Sequence, residues 1–184
     1  GIAVLPVPSE ADDSWQWLRP LHTLCAQAGK AIIGWGENAR ADIRLVNYQS
    51  NLDRTDLTIE TASGRQNLSS PLVGRFNVEN ILTVFSLCQA MAIDHLVIHK
   101  ALATAAGAPG RLQRVALGVA WNSRGPVVFV DYAHTPDALE KVLLTVKALP
   151  HRQLFCVFGC GGDRDNGKRP VMGAIAAKYS NVAI

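Results

Sequence analysis

The sequence predicts an α/β protein in two unequal parts, and three observations predict it. Short apolar runs alternate with stretches of helical period along the 184 residues. Twice, at 126–141 and 154–170, a run rich in Val and Phe breaks into a polar loop of ionisable groups, after which a proline opens a helical pattern. Between the halves, the stretch AAGAPG at 105–110 suits neither a helix interior nor a central strand.

Each element follows in order. Residues 2–7 read as a short strand, 14–28 as a helix stopped at Gly29, and 30–35 as a second strand, which makes a βαβ pattern. Ile43 and Leu45, then Leu57 and Ile59, alternate with polar neighbours, and Ser63-Gly64 supplies a turn before 66–68, so an antiparallel element follows. From Val78 the period lengthens: Val78, Ile81, Leu82, Phe85, Cys88 and Met91 form a helical stripe. Asp94 caps a further helix carrying Leu96, Val97, Ala101 and Leu102. Past the boundary at 105–110, residues 112–121 and 127–130 pair through Asn122-Ser-Arg-Gly125, and a helix at 136–148, a strand at 153–158 and a helix at 170–179 complete the pattern. Gly1 to Leu5 reads like the middle of a fold and 181–184 like a strand cut short, so a fragment is expected.

Composition narrows the function classes. A formal charge of +3 with Lys and Arg dispersed argues against nucleic acid or a membrane surface as partner and leaves anionic small molecules. No run approaches the roughly 18 apolar residues of a membrane span, and no export signal opens the chain, so a cytoplasmic location is expected. Cys25, Cys88, Cys156 and Cys160 have no paired C-x-x-C spacing with histidines; reduced structural thiols are expected and no metal site, with Cys156 in a buried strand. His22, His95, His99 and His151 read as surface or helix-face residues, and Trp15, Trp17, Trp35 and Trp121 as packing groups.

The chemistry-bearing residues lie in the two polar loops and at one helix start. Asp131 stands one residue past an apolar strand, where a carboxylate held by the sheet can accept hydrogen bonds from a ribose. His134 precedes Thr135, which can cap the helix whose first residue is Pro136, and backbone bonding is as good an account of this histidine as ligand binding. Gly162 to Gly167 followed by Lys168 nearly matches a P-loop, but Arg169 replaces the magnesium-binding hydroxyl and Asp163 and Asp165 would repel phosphate, so that reading is rejected. Arg164, Lys168 and Arg169 near a helix start suit a carboxylate instead, with a surface ion-pair cluster as the plainer alternative. Asn77 and Asn80 share one helix face and could meet the edge of an adenine, although Asn77 could equally be an N-cap; Arg111 follows the Gly/Pro boundary and could serve either half.

Taken together, GRFNVEN at 74–80, PGR at 109–111, VDYAHTPDALEK at 130–141 and FGCGGDRDNGKRP at 158–170 resemble the Mur ligase family, in particular its branch that adds a diamino acid to the peptidoglycan precursor. The resemblance implies the end of a central ATPase domain, here 1–108, followed by the start of a Rossmann-like C-terminal domain, here 109–184. It implies a cytoplasmic, monomeric enzyme using ATP and Mg2+ to join UDP-MurNAc-dipeptide to a diamino acid, meso-diaminopimelate in preference to L-lysine, through an acyl phosphate. By motif, Asn77 and Asn80 would lie near the adenine, Arg111, Asp131 and His134 near the rest of the nucleotide, and Arg164 and Lys168 near the carboxylate of the incoming diamino acid. No catalytic nucleophile and no metal ligand is implied within the chain. The family's P-loop, acidic magnesium ligand and carbamylated lysine would precede Gly1, and its Asp-Asn-Pro-Arg motif would follow Ile184, so the isolated chain is expected to be inactive. The alternatives are a non-enzymatic nucleotide-binding module and a degenerate P-loop protein built on Lys168.

Overall fold

A computed structural model describes residues 1–8, 15–116, 125–161 and 165–184. The chain divides into two compact units, Gly1–Ala106 and Gly107–Ile184.

The first unit is a five-stranded sheet in sequential order, β1 (Ile2–Pro6), β2 (Ala31–Gly36), β3 (Ile43–Ser50), β4 (Thr55–Thr61) and β5 (Gly64–Ser70). Helix α1 (Trp15–Gln27) carries the chain back from β1 to β2, so those strands run parallel. A parallel partner for β2 would ordinarily need another long crossover. Instead β3 starts level with the end of β2, pairing only Trp35 with Ile43 and Gly36 with Arg44, and continues onward, so the short connection 37–42 suffices. Beyond an irregularity between Leu45 and Asn47, β3, β4 and β5 form an antiparallel ribbon. The Asn51 side-chain oxygen turns its first corner by accepting from Asp53 N (2.8 Å) and Arg54 N (3.0 Å).

Helices α2 (Arg75–Ala90) and α3 (His95–Ala103) cover one face of the sheet. Ile43, Leu45, Leu57, Ile59 and Leu68 meet Val78, Ile81, Leu82 and Phe85 of α2 and Ile98 and Leu102 of α3. Each such side chain taken from water stabilises the fold by about 1.5–3 kcal/mol before the entropy of ordering it is subtracted. The stripe expected on α2 holds through Phe85 and Cys88, but Met91 is 72% exposed because α2 ends just before it. On α3, Asp94 Oδ1 caps the helix at Leu96 N (2.8 Å) as expected. The buried face is Ile98 and Leu102, however, and Leu96 and Val97 point outward. Trp17, expected to pack, is 82% exposed on α1, whereas Trp35 packs against the core with its indole N–H unpaired.

The second unit has β6 (Gln113–Arg114) antiparallel to β7 (Phe129–Val130), and β8 (Phe155–Cys156) parallel to β9 (Val182–Ala183). Helices α4 (Pro136–Lys147) and α5 (Lys168–Tyr179) pack through Leu139 and Leu143 against Met172 and Ala176, with Cys156 of β8 in the same cluster. Its strands are shorter than the apolar runs that foretold them. Among the described residues the expected 112–121 strand pairs only at Gln113 and Arg114, extended by Val115 N to Val128 O at 2.9 Å. Residues 117–124, which include Trp121 and the turn residues Asn122, Ser123 and Arg124, lie outside the described residues. Helix α5 opens at Lys168, two residues before Pro170, since the first-turn N–H groups have no helical acceptor and a proline is tolerated there. All four cysteines are free thiols, and burial pushes the Cys156 thiol pKa up. No described helix is long and apolar enough to cross a membrane.

Candidate functional site

In the second unit the chain enters through a tight bend. Gly110 has φ +68°, and Leu112, a buried non-glycine residue, has φ +42°. Left-handed backbone at a branched side chain costs about 1–2 kcal/mol, so something must hold it. Asp131 does so. One carboxylate oxygen accepts Leu112 N at 2.8 Å and the other accepts Ala133 N at 2.8 Å, while Tyr132 N donates to Gly110 O at 2.7 Å. The half-buried aspartate at the end of β7 thus ties loop 110–112 to loop 131–133, and each oxygen keeps a second lone pair.

The remaining side chains of this loop line up beside it. The Arg111 guanidinium lies 6.0 Å from the Tyr132 ring centroid, and the Tyr132 and His134 rings are 5.1 Å apart. His134 Nδ1 bonds the Tyr132 carbonyl at 3.1 Å, so the backbone account of that nitrogen holds. Thr135 caps α4 by accepting Ala138 N at 3.3 Å, with Pro136 at the helix start.

From the second polar loop, Lys168 Nζ donates to His134 O at 3.2 Å, and Lys168 N donates to Asp165 Oδ1 at 3.3 Å. Arg111, Asp131, His134 and Lys168 are therefore brought together by the structure. Arg164, with Gly162 and Asp163, lies outside the described residues.

In the first unit, α2 starts at Arg75 after its N-cap Gly74, which has φ +93° and makes no side-chain capping bond. Asn77 is consequently not the cap. It is 8% exposed, donates Nδ2 to Val73 O at 2.8 Å and accepts Asn80 Nδ2 at 3.3 Å. Asn80 is exposed. Arg75, unremarked in the sequence, pairs with Glu37 and Glu79 and lies over the Tyr48 ring. Burial is the largest single influence and opposes its charge, but Glu37, Tyr48 and Glu79 together more than offset it, so its pKa is held above the ordinary value.

Two groups escaped the sequence reading. Tyr132, 67% exposed and flanked by Arg111 and His134, sits inside the motif at 130–141, where the sequence assigns it no role. His95 and His99 lie on a helix face, one turn apart on α3, and are half-buried with partners the sequence does not name: Gln66 bonds His95 Nδ1 (3.1 Å) and His99 Nε2 (3.0 Å), and Gln89 bonds His95 Nε2 (2.8 Å). Their i,i+4 spacing was the available signal.

Comparison with known proteins gives the family of the second unit. Residues 110–184 match the family described as Mur ligase, glutamate ligase domain. The chain is 41% identical over 157 residues to the UDP-N-acetylmuramoyl-L-alanyl-D-glutamate--2,6-diaminopimelate ligase of Caulobacter vibrioides, covering 85% of this chain and 31% of that protein. It is 42% identical over 153 residues to the Geobacter sulfurreducens protein of the same name, covering 83% of this chain and 29% of that one. A solved diaminopimelate ligase of that name superposes with a TM-score of 0.70 at 31% identity, over 98% of this chain and 36% of that chain. Folylpolyglutamate synthetase from Lactobacillus casei, at 16% identity and TM-score 0.69 over 99% of this chain and 48% of its own, shares the fold. The chain spans about a third of the length of the curated relatives it matches.

Proposed function

Residues 110–184 belong to the Mur ligase family, and from that premise we propose that the chain is part of an ATP-dependent ligase that forms an amide between UDP-MurNAc-L-alanyl-D-glutamate and a diamino acid, meso-diaminopimelate in preference to L-lysine. The γ-phosphoryl group of ATP passes to a carboxylate of the D-glutamate residue, giving an acyl phosphate and ADP. The amine of the diamino acid then attacks the acyl carbon, inorganic phosphate leaves, and the amine proton is released. Phosphorylation converts a carboxylate oxygen, a poor leaving group, into a good one. Both reacting atoms come from substrates, so the protein's task is positioning and exclusion of water. The reaction is assigned to the cytoplasm and to peptidoglycan synthesis.

Within this reading residues 1–108 are the end of the ATP-binding domain, and 109–184 open the C-terminal domain. Asn80, with Asn77 behind it, serves the adenine; the free lone pairs of Asp131 serve the ribose; Arg111 and the exposed His134 serve the nucleotide. Arg164 and Lys168 serve the carboxylate of the diamino acid. By the family resemblance Mg2+ is assigned to ligands that lie mostly outside this chain, and no step is routed through it here.

The observation that supports the proposal is the contact of Lys168 with the His134 carbonyl, in a segment that matches the ligase domain. Incubating the full-length protein that contains this chain with UDP-MurNAc-dipeptide, ATP, Mg2+ and either diamino acid should release ADP, phosphate and the amide product. No product with either amine ends the ligase claim. Nucleotide binding without product favours a binding module instead.

A further inference from the structure

A single amide joins the two half-buried histidines of α3 to the sheet. Gln66 of β5 donates from Nε2 to Thr61 Oγ1 at 3.3 Å and to His95 Nδ1 at 3.1 Å, and its Oε1 lies 3.0 Å from His99 Nε2. A glutamine amide can turn end for end, exchanging nitrogen for oxygen, but this one is held. Thr61 Oγ1 already donates its hydrogen to Gly64 O at 3.2 Å and accepts Ser63 N at 3.2 Å, so an oxygen from Gln66 would meet a lone pair there. The corner between β4 and β5 thus fixes which end of the amide each ring meets. His99 Nε2 must carry a hydrogen, and His95 Nδ1 must not. The hydrogen of a neutral His95 is then on Nε2, 2.8 Å from the Gln89 amide. Gln89 has no second side-chain partner among the described residues, so it is free to turn its oxygen to that hydrogen.

We propose that His95, Gln66 and His99 form an acid-sensitive latch fastening α3 to β5, with His95 as the group whose protonation opens it. The latch is independent of the ligase reading, since every bond in it lies within the first unit. A proton added to His99 goes to Nδ1 and leaves the bond to Gln66 intact. A proton added to His95 also goes to Nδ1, but there it sets one donor against another. Relief comes only if Gln66 turns, giving up Thr61 and His99 together, or if α3 moves away from β5. The neutral His95 ring is the form the fold binds, so the latch is complete above the histidine range, about pH 6.5, and is released as pH falls through it. The surrounding elements bring few other charges. β4 and β5 contribute Glu60 and Arg65, which pair with each other, Glu60 also pairing with Arg44. From α2 come the Cys88 thiol and the Phe85 ring, 5.7 Å from His95 and 6.4 Å from His99, while Arg75 and Glu79 bond together at its other end. On α3 itself are Asp94, engaged as the cap, and Lys100. Among the described residues no carboxylate bonds either imidazole, so none offsets a charge on His95.

The test uses the full-length protein containing this chain. Long-range proton–nitrogen NMR spectra of isotope-labelled histidine, assigned with His95→Gln, should show at about pH 7.5 a His95 ring carrying its hydrogen on Nε2 alone. A hydrogen on His95 Nδ1 at that pH overturns the inference without recourse to any variant's stability. Amide hydrogen exchange of β5 and α3, read by mass spectrometry and corrected for the intrinsic effect of pH, is then compared at about pH 7.5 and about pH 5.5. Local opening of both segments should rise about tenfold on acidification, as expected for losing two neutral hydrogen bonds. His95→Gln, which has no ring to protonate, should remove the rise, and His99→Gln should keep it. Gln66→Glu offers an acceptor oxygen to each ring in either charge state, and should remove the rise as well. The latch is overturned by the absence of a rise in the unsubstituted protein, or by a rise that survives in His95→Gln or Gln66→Glu. Loss of the rise in His99→Gln overturns the assignment of His95 as the group that opens it.

Discussion

Replacing Asp131 by alanine should loosen the second unit before any ligand is considered. Its carboxylate accepts two backbone N–H groups, from Leu112 and Ala133, both at 2.8 Å. Hydrogen bonds to a charged group contribute about 1.5–3 kcal/mol each, and half-burial places these near the lower value, so about 3 kcal/mol is lost. Part returns, because Leu112, at φ +42°, can relax once released and recover about 1 kcal/mol of left-handed strain. The expected net cost is about 2 kcal/mol, equivalent to roughly a 30-fold change in a local opening equilibrium. Hydrogen exchange monitored by NMR should show that acceleration at the Leu112 and Ala133 amides, with a matching fall in the urea midpoint of the unit. Asp131→Asn keeps one acceptor but turns an amide N–H toward the other donor, and should fall between. If both amides exchange at the original rate in Asp131→Ala, the carboxylate is not the clamp described here.

Gly36 has φ +148°, and a Cβ there would stand 2.6 Å from the Val7 carbonyl oxygen, whereas one at Gly29, φ +62°, meets nothing within 4 Å. Gly36→Ala should therefore cost about 2–4 kcal/mol in denaturant unfolding and Gly29→Ala about 1 kcal/mol; equal losses would contradict the close approach of β1 and β2. Gln66→Ala removes the amide shared by His95 and His99 and should lower stability by about 1–3 kcal/mol, measured by the same unfolding, with a smaller loss for Gln89→Ala, which touches His95 alone. Hydrogen bonding to Arg44, then its charge, holds the Glu60 carboxyl below the ordinary glutamate pKa. The folded-state pKa is the lower one, so the contribution is complete above the unfolded value near 4.5 and is lost as pH falls through the depressed one. Glu60→Gln should accordingly flatten the acid limb of the stability curve slightly, and an unaltered limb would show the pair to be idle.

Much of the architecture was legible because it depends on local period and punctuation. Leu57 and Ile59 alternate with polar residues and lie on the buried face of β4; Val78, Ile81, Leu82 and Phe85 recur at helical spacing and form the seam of α2; Asp94 and Thr135 cap the helices they precede. Asp131, His134 and Lys168 were legible through their residue types and their place in loops after apolar runs, and Arg111 through its place after the Gly/Pro stretch and its PGR motif. Burial was less so. Leu96, Val97, Met91 and Trp17 are as apolar as the core residues, but which side of a short helix faces the sheet depends on where its neighbours lie.

By itself, then, the chain order determined the alternation of strands and helices, the break near residue 106 and the set of polar residues that could meet a nucleotide and a carboxylate. Only the tertiary structure decided which hydrogen bonds those residues make. Asp131 clamps Leu112 and Ala133, Asn77 turns inward to Val73 and Asn80, and Lys168 reaches His134 across 34 residues of chain. The reason is physical: period and capping are set by neighbours within a few positions, whereas the partner of a side chain is whichever donor or acceptor the folded backbone brings within about 3 Å.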